Sequence, residues 1–162
     1  MNPSIQFPSP IGPITLTASQ VGIRSVQFLK SENDLAFSIN TLLVTAQTQI
    51  LAYLAGTRKS FSLEFDLADI HGFQQDVLAV ISDITFGEIL PYGQVATLIR
   101  KPIAARAVGS ALARNPLPIL IPCHRVVAAD GHLTGYLGQK GIETKKWLLE
   151  LEGHKIVGEK LG

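Results

Sequence analysis

One cysteine in 162 residues leaves the chain unable to form an internal disulfide bond or a zinc site built on several thiolates. The four histidines are scattered along the sequence and offer no credible zinc site, so we predict no metal site. No apolar run approaches the ~18 residues that a membrane-spanning helix needs, and no basic-then-apolar leader begins the sequence. These absences favour a protein of the reducing cytoplasm with no membrane partner.

Charged residues are also few, at 17% of the chain against 46% hydrophobic residues, which excludes a disordered protein and favours a packed globule. The net charge of +1 conceals an asymmetry. Residues 1–91 contain four basic and eight acidic residues, whereas residues 92–146 contain eight basic and two acidic residues. A solvated basic face explains this pattern, and so does a surface that binds a polyanion.

The single cysteine, Cys123, lies in the segment Ile-Pro-Cys-His-Arg-Val-Val. A lone cysteine in an apolar run is most often an inert buried side chain. Here, however, His124 and Arg125 place a base and a positive charge beside the thiol, and a thiolate near neutral pH needs such neighbours. Pro122 disfavours a central strand, so we expect the cysteine where a strand ends. The segment predicts an activated nucleophile.

The first 70 residues show short apolar runs separated by proline and glycine, a pattern typical of a small α/β domain. Strands are predicted over 5–7, 14–17 and 23–28. A helix is predicted over 41–54, ended by Gly56. The alternation of apolar and polar residues from Phe61 to Leu67 predicts another half-buried strand. We expect this domain, residues 1–70, to have a structural role.

Residues 71–162 change to helical spacing and predict a second, mostly helical domain. Helices are predicted over 73–86, 92–100 and 103–114. The second and third, joined by a tight turn, fit a helix-turn-helix. They fit a plain helical hairpin equally well, and both interpretations remain open on composition alone.

The helix predicted over 103–114 has one buried and one open side. At about 100° per residue, its inward positions are apolar and its outward side carries small residues around one arginine. A small-residue face allows close helix packing, and with a projecting arginine it also allows close approach to nucleic acid. The inward positions are Ala104, Val108, Ala111 and Leu112, and the outward positions are Arg106, Gly109, Ser110 and Ala113.

Several motifs of the C-terminal domain occur in a recognisable order. They are Phe86-Gly87-Glu88, Tyr92, Ala104-Ala105-Arg106-Ala107-Val108-Gly109, Asn115-Pro116, Pro122-Cys123-His124-Arg125, Thr134-Gly135-Tyr136, Lys146-Trp147-Leu148-Leu149 and Glu152-Gly153. With them, the region from Phe73 to Glu152 resembles the C-terminal domain of the O6-alkylguanine-DNA alkyltransferases, the methylated-DNA–protein-cysteine methyltransferases. The N-terminal part resembles the family more loosely, through residues 9–13 and 53–56.

The resemblance implies an α+β fold, with a short sheet in the N-terminal α/β domain and a helix-turn-helix beside the active-site cysteine in the C-terminal domain. It implies DNA repair by irreversible transfer of an alkyl group from O6-alkylguanine, and also O4-alkylthymine, to Cys123. Each molecule reacts once, because nothing in the sequence suggests a route for removing a thioether. The implied partner is duplex DNA containing the lesion, bound by a monomer without a cofactor.

The resemblance also implies roles for individual side chains. His124 acts as the base on Cys123 through a water molecule, and Glu152 orients that histidine. Tyr92 donates to the leaving guanine, although a buried structural tyrosine is the alternative interpretation. Arg125 is expected to serve folding or phosphate contacts and not proton transfer.

For the substrate, the resemblance implies minor-groove binding by the helix-turn-helix, with Arg106 entering the base stack as the target nucleotide flips out. Asn115 links the recognition helix to the nucleophile segment. Ala105, Gly109, Ser110 and Ala113 complete the DNA-facing surface, and Tyr92, Leu112, Val126, Tyr136, Leu137 and Gly138 form the base pocket, where the Val126 carbonyl accepts from the guanine amino group.

Two departures from the family concern the pocket. Leu137 replaces a residue that offers a hydroxyl in some relatives, and residues 138–144 form a longer segment; both affect the preference for alkyl size.

Two other functions remain as rivals. A damage binder that does not repair is disfavoured, since such relatives replace the cysteine. A cysteine hydrolase would need an oxyanion hole, for which the sequence has no recognisable signature.

Overall fold

The computed structural model describes residues 2–28, 38, 40–136 and 141–162. The chain divides into two compact units, Met1–Ala68 and Asp69–Gly162. None of the helices in the described residues has the length and apolar character needed to cross a membrane.

The N-terminal unit is an antiparallel three-stranded sheet with one helix. The strands are β1 Ser4–Phe7, β2 Ile14–Ala18 and β3 Ile23–Phe28, in the order β1-β2-β3. Helix α1, Thr41–Leu54, packs against the central strand. It begins where the Asn40 side chain accepts a hydrogen bond from the Leu43 N–H at 2.8 Å. The predicted sheet and helix of this α/β unit are confirmed.

The predicted strand over 61–67 is wrong, because only Phe65 pairs with a strand, in a single parallel bridge to Ile23. Side chains satisfy the backbone of this segment instead. The Gln49 amide donates to the Ser62 carbonyl at 3.3 Å and accepts from the Ser62 N–H at 2.9 Å. Because the Gln49 side chain binds both the N–H and the carbonyl of Ser62, these groups are not available to pair with a neighbouring strand.

The C-terminal unit is mostly helical. Its elements are α2 Gly72–Ser82, β4 Leu90–Pro91, α3 Tyr92–Leu98, α4 Ala105–Ala113, a 3-10 helix Cys123–Arg125, β5 Val126–Val127, α5 Ile142–Leu151, β6 Ile156–Val157 and β7 Lys160–Leu161. Helices α3 and α4 form the helix-turn-helix, and α2 packs against both. The burial of Val108, Ala111 and Leu112 follows the predicted inward side of α4.

A short parallel pairing brings two distant parts of this unit together. Leu90 of β4 lies opposite Val126 of β5, and Pro91 lies opposite Val127. Tyr92 directly follows β4, and the 3-10 helix that begins at Cys123 directly precedes β5. The pairing therefore brings the tyrosine to the region of the cysteine.

Helix α2 ends at Ser82, four residues before the predicted end at Phe86. The Ser82 hydroxyl bonds back to the Leu78 carbonyl at 2.7 Å, and the Ile84 N–H bonds to the Ile81 carbonyl at 3.1 Å, which tightens the last turn. The Ile84 carbonyl then accepts from the buried Arg125 guanidinium at 2.5 Å. A continuing helix would occupy this carbonyl.

Cys123 does not lie at the end of a strand, as the proline suggested, but at the start of the 3-10 helix. The apolar run before it forms a turn, in which the Ile121 N–H bonds to the Leu117 carbonyl at 2.8 Å. The Asn115 amide donates to the Ile121 carbonyl at 3.0 Å and its oxygen accepts from the Leu117 N–H at 3.0 Å. A buried side chain again replaces strand pairing.

Candidate active site

Cys123 lines a cavity of about 500 Å³ within the C-terminal unit. The walls come from the start of α3, the C-terminal half of α4, the 3-10 helix, the segment 134–136 and α5. The lining residues are Tyr92, Gly109, Leu112, Ala113, Cys123, Thr134, Gly135, Tyr136 and Lys145. A larger cavity of about 610 Å³ lies between α2 and α3, but its lining residues include no thiol and no imidazole, so we place the reactive centre in the smaller one.

The thiol of Cys123 is 4% exposed, and burial raises its pKa above the ordinary value. Three neighbours oppose this shift: a hydrogen bond from Asn115, the positive charge of Lys145 and a hydrogen bond from Tyr136. Burial remains the larger influence, so the free protein holds a thiol and not a thiolate. Reaction as a nucleophile therefore requires a base nearby.

His124 is fully buried, and its Nε2 lies 2.6 Å from Oε2 of Glu152. Burial lowers the pKa of His124, although the carboxylate opposes this shift. A neutral imidazole facing a carboxylate through Nε2 carries its proton on Nε2, so Nδ1 holds the lone pair. The histidine is thus arranged to accept a proton at Nδ1 while Glu152 fixes the ring.

Glu152 holds two buried basic groups at once. Besides His124, it accepts from Arg125 Nε at 2.6 Å and pairs with Arg125 Nη2 at 2.5 Å. The Gly87 N–H also points to it at 3.4 Å, at a position whose φ of 84° favours glycine. Burial alone would raise the pKa of Glu152, but the hydrogen bonds with His124 and Arg125 and the positive charge of Arg125 lower it to about 2. The carboxylate is therefore ionised at neutral pH.

Arg125 is buried and directed inward, toward Glu152 and the Ile84 carbonyl. This position excludes phosphate contact, one of the two roles expected for it. It leaves the other, a structural role in the charge network behind the histidine.

Lys145 also lines the cavity, although the sequence had suggested no role for it in the site. It is 1% exposed, and its Nζ donates to the Val126 carbonyl at 2.6 Å and lies 3.5 Å from Tyr92 Oη. Burial lowers the pKa of Lys145 to about 8, and ionisation of the Cys123 thiol would oppose this shift. A signal was present: Lys145, Leu148, Leu149 and Glu152 are spaced as one helical face, and a lysine on an apolar face needs a partner.

Tyr92 and Thr134 share a hydrogen bond of 2.5 Å between their hydroxyl oxygens. Burial raises the pKa of Tyr92, so its hydroxyl remains protonated near neutral pH and can donate into the cavity. Thr134 had been assigned no role from sequence. The Tyr136 ring lines the same cavity and lies edge-on to the His124 ring, with centroids 6.5 Å apart.

Helix α4 separates the cavity from an exposed basic surface. Gly109, Leu112 and Ala113 line the cavity, whereas the side chain of Arg106 is exposed to solvent. Ser110 and Ala113 are also exposed, and Ala105 is half-buried. Four exposed basic residues lie on the helix-turn-helix: Arg100, Lys101, Arg106 and Arg114. Of the predicted pocket residues, Leu137 and Gly138 lie outside the described residues.

Comparison with known proteins places both units in one family. Residues 72–154 match the family described as "6-O-methylguanine DNA methyltransferase, DNA binding domain". Residues 6–67 match "6-O-methylguanine DNA methyltransferase, ribonuclease-like domain".

Individual relatives agree with these matches. The chain is 40% identical over 152 residues to a methylated-DNA–protein-cysteine methyltransferase of Methanosarcina acetivorans, covering 91% of this chain and 96% of the relative. A crystal structure of the Mycobacterium tuberculosis O6-methylguanine methyltransferase superposes with a TM-score of 0.81 at 38% identity, covering 94% and 93% of the two chains. The structure of Mycobacterium tuberculosis OGT in complex with DNA gives a TM-score of 0.80 at 39% identity, covering 92% and 91%.

Proposed function

The chain belongs to the 6-O-methylguanine DNA methyltransferase family, and from this premise we propose that Cys123 is the residue that receives the alkyl group. The chain acts in DNA repair by direct alkyl transfer from methylated DNA to a protein cysteine, and it binds DNA. One observation carries the assignment of Cys123: the sole cysteine lines a cavity beside the buried His124–Glu152 pair.

In the proposed reaction, Nδ1 of His124 accepts the thiol proton through a water molecule. The thiolate attacks the alkyl carbon, forming a carbon–sulfur bond while the bond from that carbon to guanine O6 breaks. The guanine leaves with the electron pair of the broken bond, and a hydrogen bond from the Tyr92 hydroxyl stabilises it until it is protonated. The thioether is permanent, so each molecule reacts once.

The ammonium group of Lys145 supports this reaction at two points. It favours the thiolate of Cys123, and it lies beside the Tyr92 hydroxyl that faces the leaving group. It also occupies the Val126 carbonyl, which we propose as the acceptor for the guanine amino group. A carbonyl oxygen has two lone pairs, so lysine and guanine can share it.

Access to this cavity requires the damaged nucleotide to leave the duplex, because the O6 alkyl group is out of reach inside the base stack. We propose that α4 binds in the minor groove and that Arg106 fills the space left by the flipped nucleotide. Ala105, Gly109, Ser110 and Ala113 would then face the DNA, and their small size permits close approach. O4-alkylthymine is a further proposed substrate.

A reducing compartment such as the cytoplasm would keep the thiol of Cys123 available, and we propose that the protein works there as a monomer. Asn115 connects the reaction to the DNA surface, because it joins the end of α4 to the turn before Cys123. Leu137 and Gly138 would complete the pocket.

We expect incubation with excess duplex DNA carrying labelled O6-methylguanine to move the label to protein and to stop at one equivalent. Peptide mapping should place the label on the peptide that contains Cys123. Continued turnover would indicate a hydrolase instead, and binding of the lesion without label transfer would indicate a damage binder.

Arg106→Ala is expected to slow repair of duplex DNA by about 10-fold or more, because the unstacked site loses the side chain that replaces the flipped base. Free O6-benzylguanine needs no flipping, so its reaction rate should stay within about twofold of the wild type. Arg114→Ala removes the same charge from the end of the same helix and serves as the matched control. Equal losses on duplex and free base would show that Arg106 shapes the cavity and does not open the duplex.

A further inference from the structure

Helix α3 ends in a backbone motif that occurs three times among the described residues, and of these three occurrences only this one lacks glycine. The Arg100 N–H bonds to the Thr97 carbonyl and the Lys101 N–H to the Ala96 carbonyl, both at 2.9 Å, with Arg100 at a φ of 62°. This paired pattern is the Schellman motif, whose left-handed residue is usually glycine because a Cβ atom is disfavoured there.

The other two occurrences serve as internal controls. After α1, the Gly56 N–H bonds to the Tyr53 carbonyl and the next N–H bonds to the Ala52 carbonyl, with Gly56 at a φ of 78°. After α5, Gly153 occupies the same place at a φ of 95°. The chain therefore has glycine at the left-handed position after α1 and after α5, but arginine at the same position in the helix-turn-helix.

Local interactions do not explain the arginine. Its side chain is exposed, and no ion pair joins it to a carboxylate within residues 2–28, 40–136 and 141–162. The sequence from Ile89 to Ala129 contains no aspartate or glutamate at all. A basic residue in a disfavoured backbone conformation, with no carboxylate partner among the described residues, is typical of a position kept for binding.

We propose that Arg100 binds a phosphate of duplex DNA and is a separate anchor from Arg106. The proposal rests on the proposed function, since it takes DNA as the ligand. Arg100 lies in the turn that precedes α4, so a phosphate held there would fix the position of the recognition helix along the backbone without reading sequence. Arginine at this turn would then lower the stability of the fold and raise the affinity for duplex DNA.

The substitution Arg100→Gly should separate the effect of Arg100 on stability from its effect on DNA binding. Relief of the left-handed strain is expected to raise the melting temperature by a few degrees. The loss of one phosphate contact is expected to weaken duplex binding by about 3- to 10-fold near 0.1 M salt, and to reduce the slope of log K against log salt by about 1. The rate with free O6-benzylguanine should not change.

Three further variants keep the interpretation clear. Arg100→Asn, which tolerates left-handed backbone, should repeat both effects, whereas Arg100→Lys should keep most of the salt slope without gaining stability. Lys155→Ala removes one exposed charge outside the helix-turn-helix and should leave the slope unchanged. A more stable Arg100→Gly protein that binds duplex with unchanged affinity and slope would overturn the proposal, as would a lower melting temperature. If the wild type itself fails to bind duplex DNA, the proposed function is wrong.

Discussion

Cys123→Ser is expected to abolish alkyl transfer while duplex DNA containing O6-methylguanine is still bound. Even the thiol of Cys123 has its pKa raised by burial and depends on a base for ionisation. A serine hydroxyl in the same place has a much higher pKa, and a neutral His124 cannot ionise it. A fall in rate of about 10⁴-fold or more is the usual result when a covalent nucleophile is removed. The DNA surface on α4 is untouched by the substitution.

Mass spectrometry of the intact protein measures the outcome directly. The wild type should gain the mass of one alkyl group and the variant none, while fluorescence anisotropy reports equal duplex binding. Cys123→Ala is the matched control, since it removes the nucleophile without introducing a hydroxyl. Alkylation of any other residue in either variant would contradict the assignment of Cys123 as the acceptor.

Regular elements were predictable from the sequence because a single periodic signal decides them. The helix predicted over 41–54, ended by Gly56, has the bounds of α1, and in the structure the Asn40 side chain caps its start. The segment 61–67 failed because alternation shows only which side chains are buried. It does not show that the Gln49 amide takes the backbone groups of Ser62.

Some residues of the candidate site could likewise be identified from the sequence, whereas others depend on contacts between distant segments. Cys123 and His124 lie in one local motif, and the family resemblance added Glu152, so all three were candidates from the sequence. Lys145 was counted only among surface charges, because its role depends on burial and on the Val126 carbonyl, which the β4–β5 pairing sets in place. The inward direction of Arg125 was likewise unpredictable, because its partners, Glu152 and the Ile84 carbonyl, are remote in sequence.

Glu152→Gln is expected to reduce both stability and transfer rate, for different reasons. The glutamine removes the negative charge that pairs with Arg125 and leaves that buried guanidinium uncompensated, which costs about 3 to 5 kcal/mol. The amide can also donate to Nε2 of His124, which favours the tautomer with its proton on Nδ1 and removes the base. Loss of the correct histidine tautomer lowers rates by about 10²- to 10⁴-fold.

The pH dependence of stability follows from the carboxylate. The pKa of Glu152 is lowered to about 2 from an ordinary value of 4.5, so its stabilising effect is complete above about pH 5 and is lost as the pH falls toward 2. Urea unfolding should therefore show a large gap between wild type and Glu152→Gln at pH 7 and a smaller gap below pH 4. Glu150→Gln, an exposed substitution of the same type on the same helix, should show no such gap.

A second substitution separates folding from proton transfer. In the double variant Glu152→Gln/Arg125→Met, the unpaired guanidinium is gone, so much of the lost stability should return. The histidine still lacks its carboxylate, so the transfer rate should remain as low as in the single variant. If the double variant regained both its stability and its transfer rate, Glu152 would act only by holding Arg125 in the fold. His124 would then need no orienting partner to take the proton of Cys123.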